Sequence, residues 1–209
     1  MNLYFCQGGL FSVPKWPIIP GSNAKLKNPK KRFQTMINPP HTIPYYLKDD
    51  GLIPNNTLPL LVYQGALSLP VSEPAAAIEA LFKSHQWGNS WRNGVYRFHH
   101  YHSTAHEVLA CFGGEARVQF GGEQGVIVTV KKGDVVVIPA GVGHKNLGDT
   151  SDFRVVGAYP PNQTWDLLRG RPGERPQADE NIARVPLPST DPVYDAAGPL
   201  VEHWGINSD

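Results

Sequence analysis

Four of the eight histidines lie between positions 99 and 106, in the run His99-His100-Tyr101-His102-Ser103-Thr104-Ala105-His106-Glu107. On an extended strand alternate side chains share a face, so His100 and His102 point together while His99 and Tyr101 point the other way. Two imidazoles two residues apart can reach one metal ion. Ser103 to Ala105 then turns the chain, and Glu107 opens a further strand whose carboxylate returns to the same ion. A fourth ligand must come from elsewhere, and His144, just after the turn Pro139-Ala140-Gly141, is the candidate. Three neutral imidazoles and one carboxylate suit a divalent transition metal (Fe, Mn, Ni or Zn), one per chain, with positions left open for substrate, water or dioxygen. A lone strand histidine would read as structural. Four potential ligands at fixed spacings outweigh that reading.

The parity that selects His100 and His102 turns His99 and His106 toward structural or surface roles. Glu115 follows the Gly113-Gly114 turn and should be exposed, which leaves Glu107 as the carboxylate. Tyr96, Phe98, Leu109 and Cys111 share the ligands' face. Phe98 and Leu109 read as core, and Cys111 as a small buried hydrophobe rather than a reactive thiol. Tyr96, and His106 if it turns inward, are the candidate catalytic acid or base groups.

The elements that must position these residues are legible in part. From Gly94 to Pro160 short apolar stretches alternate with glycine turns, the texture of an antiparallel sandwich or barrel. Strands are predicted near 95–102, 106–112, 115–120, 126–130, 135–138, 142–146 and 153–159. Before them, 33–37, 42–47 and 58–69 read as extended, and one helix is predicted, capped by Ser72, with Pro74 in its first turn and Ile78, Leu81 and Phe82 on its apolar stripe. Beyond Pro160 the chain is proline-rich and reads as an irregular wrap anchored by Trp165, Tyr194 and Trp204.

These motifs closely resemble the cupin superfamily. Its first motif places Gly, five residues, His, one residue, His, four residues, Glu, six residues, Gly, and Gly94, His100, His102, Glu107 and Gly114 match throughout. In the second motif Gly133, Pro139, Gly141 and His144 match, whereas Gly148 occupies the asparagine slot and Asn146 stands two residues early. The 18 residues between Gly114 and Gly133 fit the short spacing of compact microbial-type cupins. Asp50 to Asn56, His99 to Glu107, Pro172 to Pro176 and Asp191 to Tyr194 are similar to the functionally uncharacterised YjlB-like single-domain cupins. The resemblance implies an all-β jelly-roll barrel with one or two flanking helices and the metal inside it, held by His100, His102, Glu107 and His144. The implied organisation is a basic arm with edge strands over 1–48, the barrel over 49–160 and a C-terminal wrapping segment over 161–209.

Composition narrows the partners. Residues 1–48 carry seven basic side chains and no acid, leaving 12 basic against 18 acidic in the remainder of a chain whose net charge is +1. An acidic body has no footprint for phosphate backbones, so no nucleic-acid partner is expected. No apolar run reaches the roughly 20 residues of a membrane span, and Met1 to Gly9 lacks the pattern of a secretory signal. With two cysteines, Cys6 and Cys111, a reducing cytoplasmic setting is expected. The functional reading is a metalloenzyme acting on a small organic molecule, with dioxygenase-type chemistry favoured over isomerase-type. A non-catalytic small-ligand or metal-binding module is the alternative, and a metal-free epimerase-like cupin is disfavoured by the intact ligand set. Cupins commonly pair through their sheets, so a homodimer is expected.

Overall fold

The computed structural model describes Phe33 and residues 35–206; the arm predicted over 1–48 lies, up to residue 32, outside the described residues. Among the described residues, nine strands form two antiparallel sheets: β1 (Thr42–Tyr45), β2 (Leu60–Tyr63), β3 (Gly88–Asn93), β4 (Glu107–Gly113), β5 (Glu115–Phe120), β6 (Val126–Lys131), β7 (Val135–Ile138), β8 (His144–Asp149) and β9 (Arg154–Tyr159). The larger sheet has the order β1-β2-β7-β4-β9-β3 and the smaller β6-β5-β8. Together they make the jelly-roll that the cupin resemblance implies.

Leu60, Val62, Leu109, Cys111, Val136, Ile138 and Val155 of the large sheet pack against Ala116, Val118, Phe120, Val128 and Val130 of the small one. The opposite face of the large sheet is also covered: Leu61, Tyr63, Val108, Ala110, Val135, Val137 and Ala158 meet Ile78, Leu81 and Phe82 of helix α1 (Pro74–Ser84) and Leu200 and Trp204 near the C-terminus. Burial on both faces explains why β2 and β7 read as unbroken apolar runs without alternation. Each fully buried large side chain there contributes on the order of 2 kcal/mol.

Four expectations need correction. First, 95–102 is not a strand: it makes only the isolated bridges His100↔His144 and Tyr101↔Leu168. The strand on the outer side of β9 is β3, twelve residues before His100 at its start. Its polar sequence hid it, because an edge strand with a half-exposed face needs little apolar patterning. Its seat depends on Gly157, where a Cβ would stand 2.2 Å from the Trp91 ring. Second, α1 is preceded by Glu73 in the left-handed region at φ 53, with no side-chain cap from Ser72. Third, three helices occur among the described residues, since α2 (Gln177–Arg184) and α3 (Pro199–His203) interrupt the segment read as irregular. α2 buries only Ala178 and α3 has 5 residues, so neither carries a helical stripe. Fourth, of the described residues in 33–37 only Ile37 is extended, at its bridge to Leu67.

Candidate metal centre

Glu107 begins β4 opposite Ile138 of β7, and His144 begins β8 opposite Phe120 of β5, so the mouth of the sandwich brings one ligand from each sheet together. His100 joins through two main-chain hydrogen bonds with His144, 3.2 Å from its own N–H and 2.8 Å from the N–H of His144. The His102 carbonyl accepts the Gly141 N–H at 2.8 Å. Gly141 has φ 89, and a Cβ there would lie 2.4 Å from the Asn55 carbonyl oxygen, so only glycine makes this turn without displacement. The Pro139-Ala140-Gly141 turn therefore holds both halves of the site.

The ligand atoms of His100, His102 and His144 all lie within 4.8 Å of one another, and all three residues are buried. Each Nδ1 faces a main-chain carbonyl: Phe98 at 3.3 Å for His100, Val142 at 3.3 Å for His144, and Asp166 for His102. Those carbonyls fix the tautomers and leave the Nε2 edges free to converge. Oε2 of Glu107 stands 3.4 Å from Nε2 of His102 and 3.3 Å from that of His144. No donor is aligned on Oε2, whereas Oε1 accepts the Tyr159 hydroxyl at 2.9 Å. A carboxylate that is 1% exposed with one oxygen unpaired, beside three converging imidazoles, has the donor chemistry a divalent cation requires.

Electrostatics agree. Burial pushes His100 down to about 2, with the neighbouring His144 acting in the same direction, so its ring is neutral and available as a ligand. Burial likewise opposes the charged form of His102, but the Glu107 carboxylate outweighs it and raises the ring above its ordinary value. For Glu107 burial alone would raise the carboxyl, yet His102 and His144 hold it well below the usual range. His102 and Glu107 thus stabilise each other's charged forms.

The group sits in a cavity of about 220 Å³ walled by Trp91, Tyr96, Leu109, Tyr159, Trp165 and Leu167. Tyr96 lines the mouth. His106 does not: its Nδ1 accepts the Ala140 N–H at 3.0 Å and its ring packs on Trp204 at 4.8 Å, so the inward turn that would make it an acid or base is not taken. His99 stands outside the cluster, 3.3 Å from Glu123. Phe98, expected in the core, is half-buried beneath the Arg169 guanidinium at 3.8 Å. Cys111 is buried, with its thiol pushed up to about 12 by desolvation.

Three contributors escape the motif. Tyr159 ends β9 and bridges Glu107 to Trp91, whose indole N–H it accepts at 2.8 Å. Asp166 holds Ser103 through its N–H at 2.6 Å and its hydroxyl at 2.5 Å while its carbonyl receives His102. Trp165, expected as a buried anchor, is 47% exposed and forms part of the cavity wall. Tyr159 alone left a trace, as a polar aromatic closing an apolar strand. The early asparagine of the second motif is explained by a bulge: Val118 faces Asn146 and Arg117 faces Gly148, so Leu147 is the extra residue.

Comparison with known proteins fits this geometry. A family model described as cupin matches residues 84–164. The uncharacterized protein YjlB of Bacillus subtilis is 46% identical over 161 residues, spanning 77% of this chain and 94% of that protein. Among solved structures, a double-stranded β-helix protein from Klebsiella pneumoniae is 14% identical over 74% of this chain and 99% of its own, with a TM-score of 0.30. The 11S allergen of Cocos nucifera is 21% identical over 46% of this chain, which spans about a third (32%) of that chain, with a TM-score of 0.32. With a near full-length relative at that identity, the chain belongs to the cupin family and is a YjlB-like cupin.

Proposed function

We propose that this protein is a divalent-metal-dependent enzyme acting on a small organic molecule, with dioxygenase-type chemistry favoured over isomerase-type. The observation that carries the reading is Glu107: a buried carboxylate with one unpaired oxygen, set among three converging imidazoles at the floor of an open cavity. His100, His102, Glu107 and His144 would hold the ion. When bound, it would supply Lewis-acid polarisation of substrate oxygens or a binding place for dioxygen. The chain's own residues do the rest. Trp91, Leu109 and Tyr159 wall the floor, and the carbonyls of Phe98, Val142 and Asp166 orient the three rings through Nδ1 so that their Nε2 edges face the ion. The Tyr159 hydroxyl is engaged by Glu107, which leaves the Tyr96 phenol at the mouth as the group to give or take a proton from substrate.

Metal analysis of protein purified without chelators, followed by oxygen uptake against diketones, catechols and thiols, tests this reading. Stoichiometric metal with oxygen consumption supports it, and silence across the panel with Fe, Mn or Ni loaded removes the oxygenase version. Tyr96→Phe should lower kcat at unchanged metal content. A non-catalytic binding module is favoured by one observation: Glu107 is the only carboxylate, and Arg92 the only cation, lining the cavity among the described residues. We propose further that the chain acts as a homodimer in the cytoplasm. No helix of the described residues is long and apolar enough to cross a membrane. Light scattering that finds a monomer would overturn the dimer.

A further inference from the structure

We propose that Trp165 and Tyr96 form an aromatic clamp at the cavity mouth, selecting substrates whose metal-binding head is joined to a flat, uncharged ring. The inference rests on the metal-centre reading and extends it from the ion to the class of molecule. Eight large hydrophobic side chains are strongly exposed among the described residues, and three of them, Tyr96 at 50%, Trp165 at 47% and Leu167 at 40%, border this one cavity. Exposed apolar groups scattered singly need no explanation, but three around the mouth of a site do.

Both rings are held in place from behind. Trp165 lies 5.7 Å from the His102 ring and is stacked at 6.3 Å and 23° on Tyr159. Its neighbour Asp166 is tied to Ser103 and His102, so the indole cannot drift without disturbing a ligand. Tyr96 is stacked on Phe98 at 4.9 Å and 15° and meets His100 edge-on at 5.0 Å. Charge is arranged to match. Arg92, the one arginine or lysine on the wall among the described residues, is engaged by both oxygens of Glu79 at 2.7 Å, which leaves no free guanidinium or ammonium of those residues there for an anionic tail. A neutral ring entering between Tyr96 and Trp165 would bury apolar area and gain aromatic contacts while its head reached the histidines.

The test uses the full chain loaded with zinc, which binds without redox turnover, and three probes sharing one chelating head: acetohydroxamate, benzohydroxamate and 4-carboxybenzohydroxamate. Calorimetry should find benzohydroxamate roughly 10-fold tighter than acetohydroxamate, from ring burial and aromatic contact, and the carboxylated probe weaker than benzohydroxamate. Trp165→Ala should cut that advantage to a few-fold or less, and Trp165→Phe should restore most of it, with zinc content equal in all three proteins. Equal affinity for the methyl and phenyl probes, or an advantage that survives both Trp165→Ala and Tyr96→Ala, overturns the clamp and leaves the metal reading standing. A protein that takes up no zinc overturns both. Light scattering that shows a dimer dissociating on Trp165→Ala would assign the rim to a second copy and also overturn the clamp.

Discussion

Two buried carboxylates lie on opposite faces of the six-stranded sheet, and their surroundings differ in one decisive respect. Asp191, on the helix-covered face, is saturated: Oδ2 accepts the Tyr63 hydroxyl at 2.7 Å and the Leu200 N–H at 3.0 Å, and Oδ1 the N–H groups of Val193 at 2.8 Å and Tyr194 at 2.9 Å. Glu107, on the inner face, has one donor on Oε1 and only imidazoles near Oε2. Burial raises Asp191 above the ordinary carboxyl range despite its neutral donors, whereas the histidines hold Glu107 below it. A carboxylate closed by dipoles staples the chain. One left half-open among imidazole nitrogens has the donor chemistry that could hold a cation.

Breaking each side of that contrast gives separate readouts. The largest effect is expected for Asp191→Ala, which strands a hydroxyl and three N–H groups in the core and should destabilise the fold by about 3 kcal/mol or more. Chemical denaturation reads this, and metal affinity in the surviving folded fraction should not change. Next comes Glu107→Gln: competition with a chromophoric chelator should show metal affinity falling on the order of 100-fold, with unfolding of the ion-free protein shifted little, because a buried charge is removed along with its contacts. Tyr159→Phe leaves Oε1 without its donor and should cost roughly 10-fold in metal affinity, in the range typical of groups that orient a ligand.

The smallest expected effect concerns a carboxylate outside both clusters. Asp49 is paired with Arg175 at 2.6 Å, and that hydrogen bond lowers it from an ordinary 3.8. Its contribution is therefore present above pH 4 and lost as pH falls through its lower folded value. At 45% exposure it is screened, so thermal melts of Asp49→Asn against the parent should converge below that window and differ by less than about 1 kcal/mol above it. A difference that grew as the pH dropped would contradict the assignment.

The four-residue set was legible because its members sit close in sequence or beside a glycine turn. His100, His102 and Glu107 span eight positions, and Gly141 marks where His144 must return. The alternation used to pair His100 with His102 was right about the pair but wrong about its cause, since 95–102 is largely irregular and the two rings converge through the His144 bridge and the Gly141 N–H. The same alternation placed Phe98 in the core, where the structure instead sets it beneath Arg169.

Residue types and spacing determined the candidate donor set, an antiparallel sandwich or barrel and the likeness to cupins, which in turn implied the jelly-roll, because metal ligation and tight turns each restrict a position to few side chains. Only the tertiary structure decided that Tyr159 and Asp166 complete the centre, that His106 turns to Trp204, and that Trp165 stands at the mouth rather than in the core. These outcomes depend on contacts between segments some 50 or more residues apart, as between Tyr159 and Glu107 or Asp166 and Ser103. Such pairings leave no period in the sequence, since each is fixed by how the two sheets and the C-terminal segment pack together.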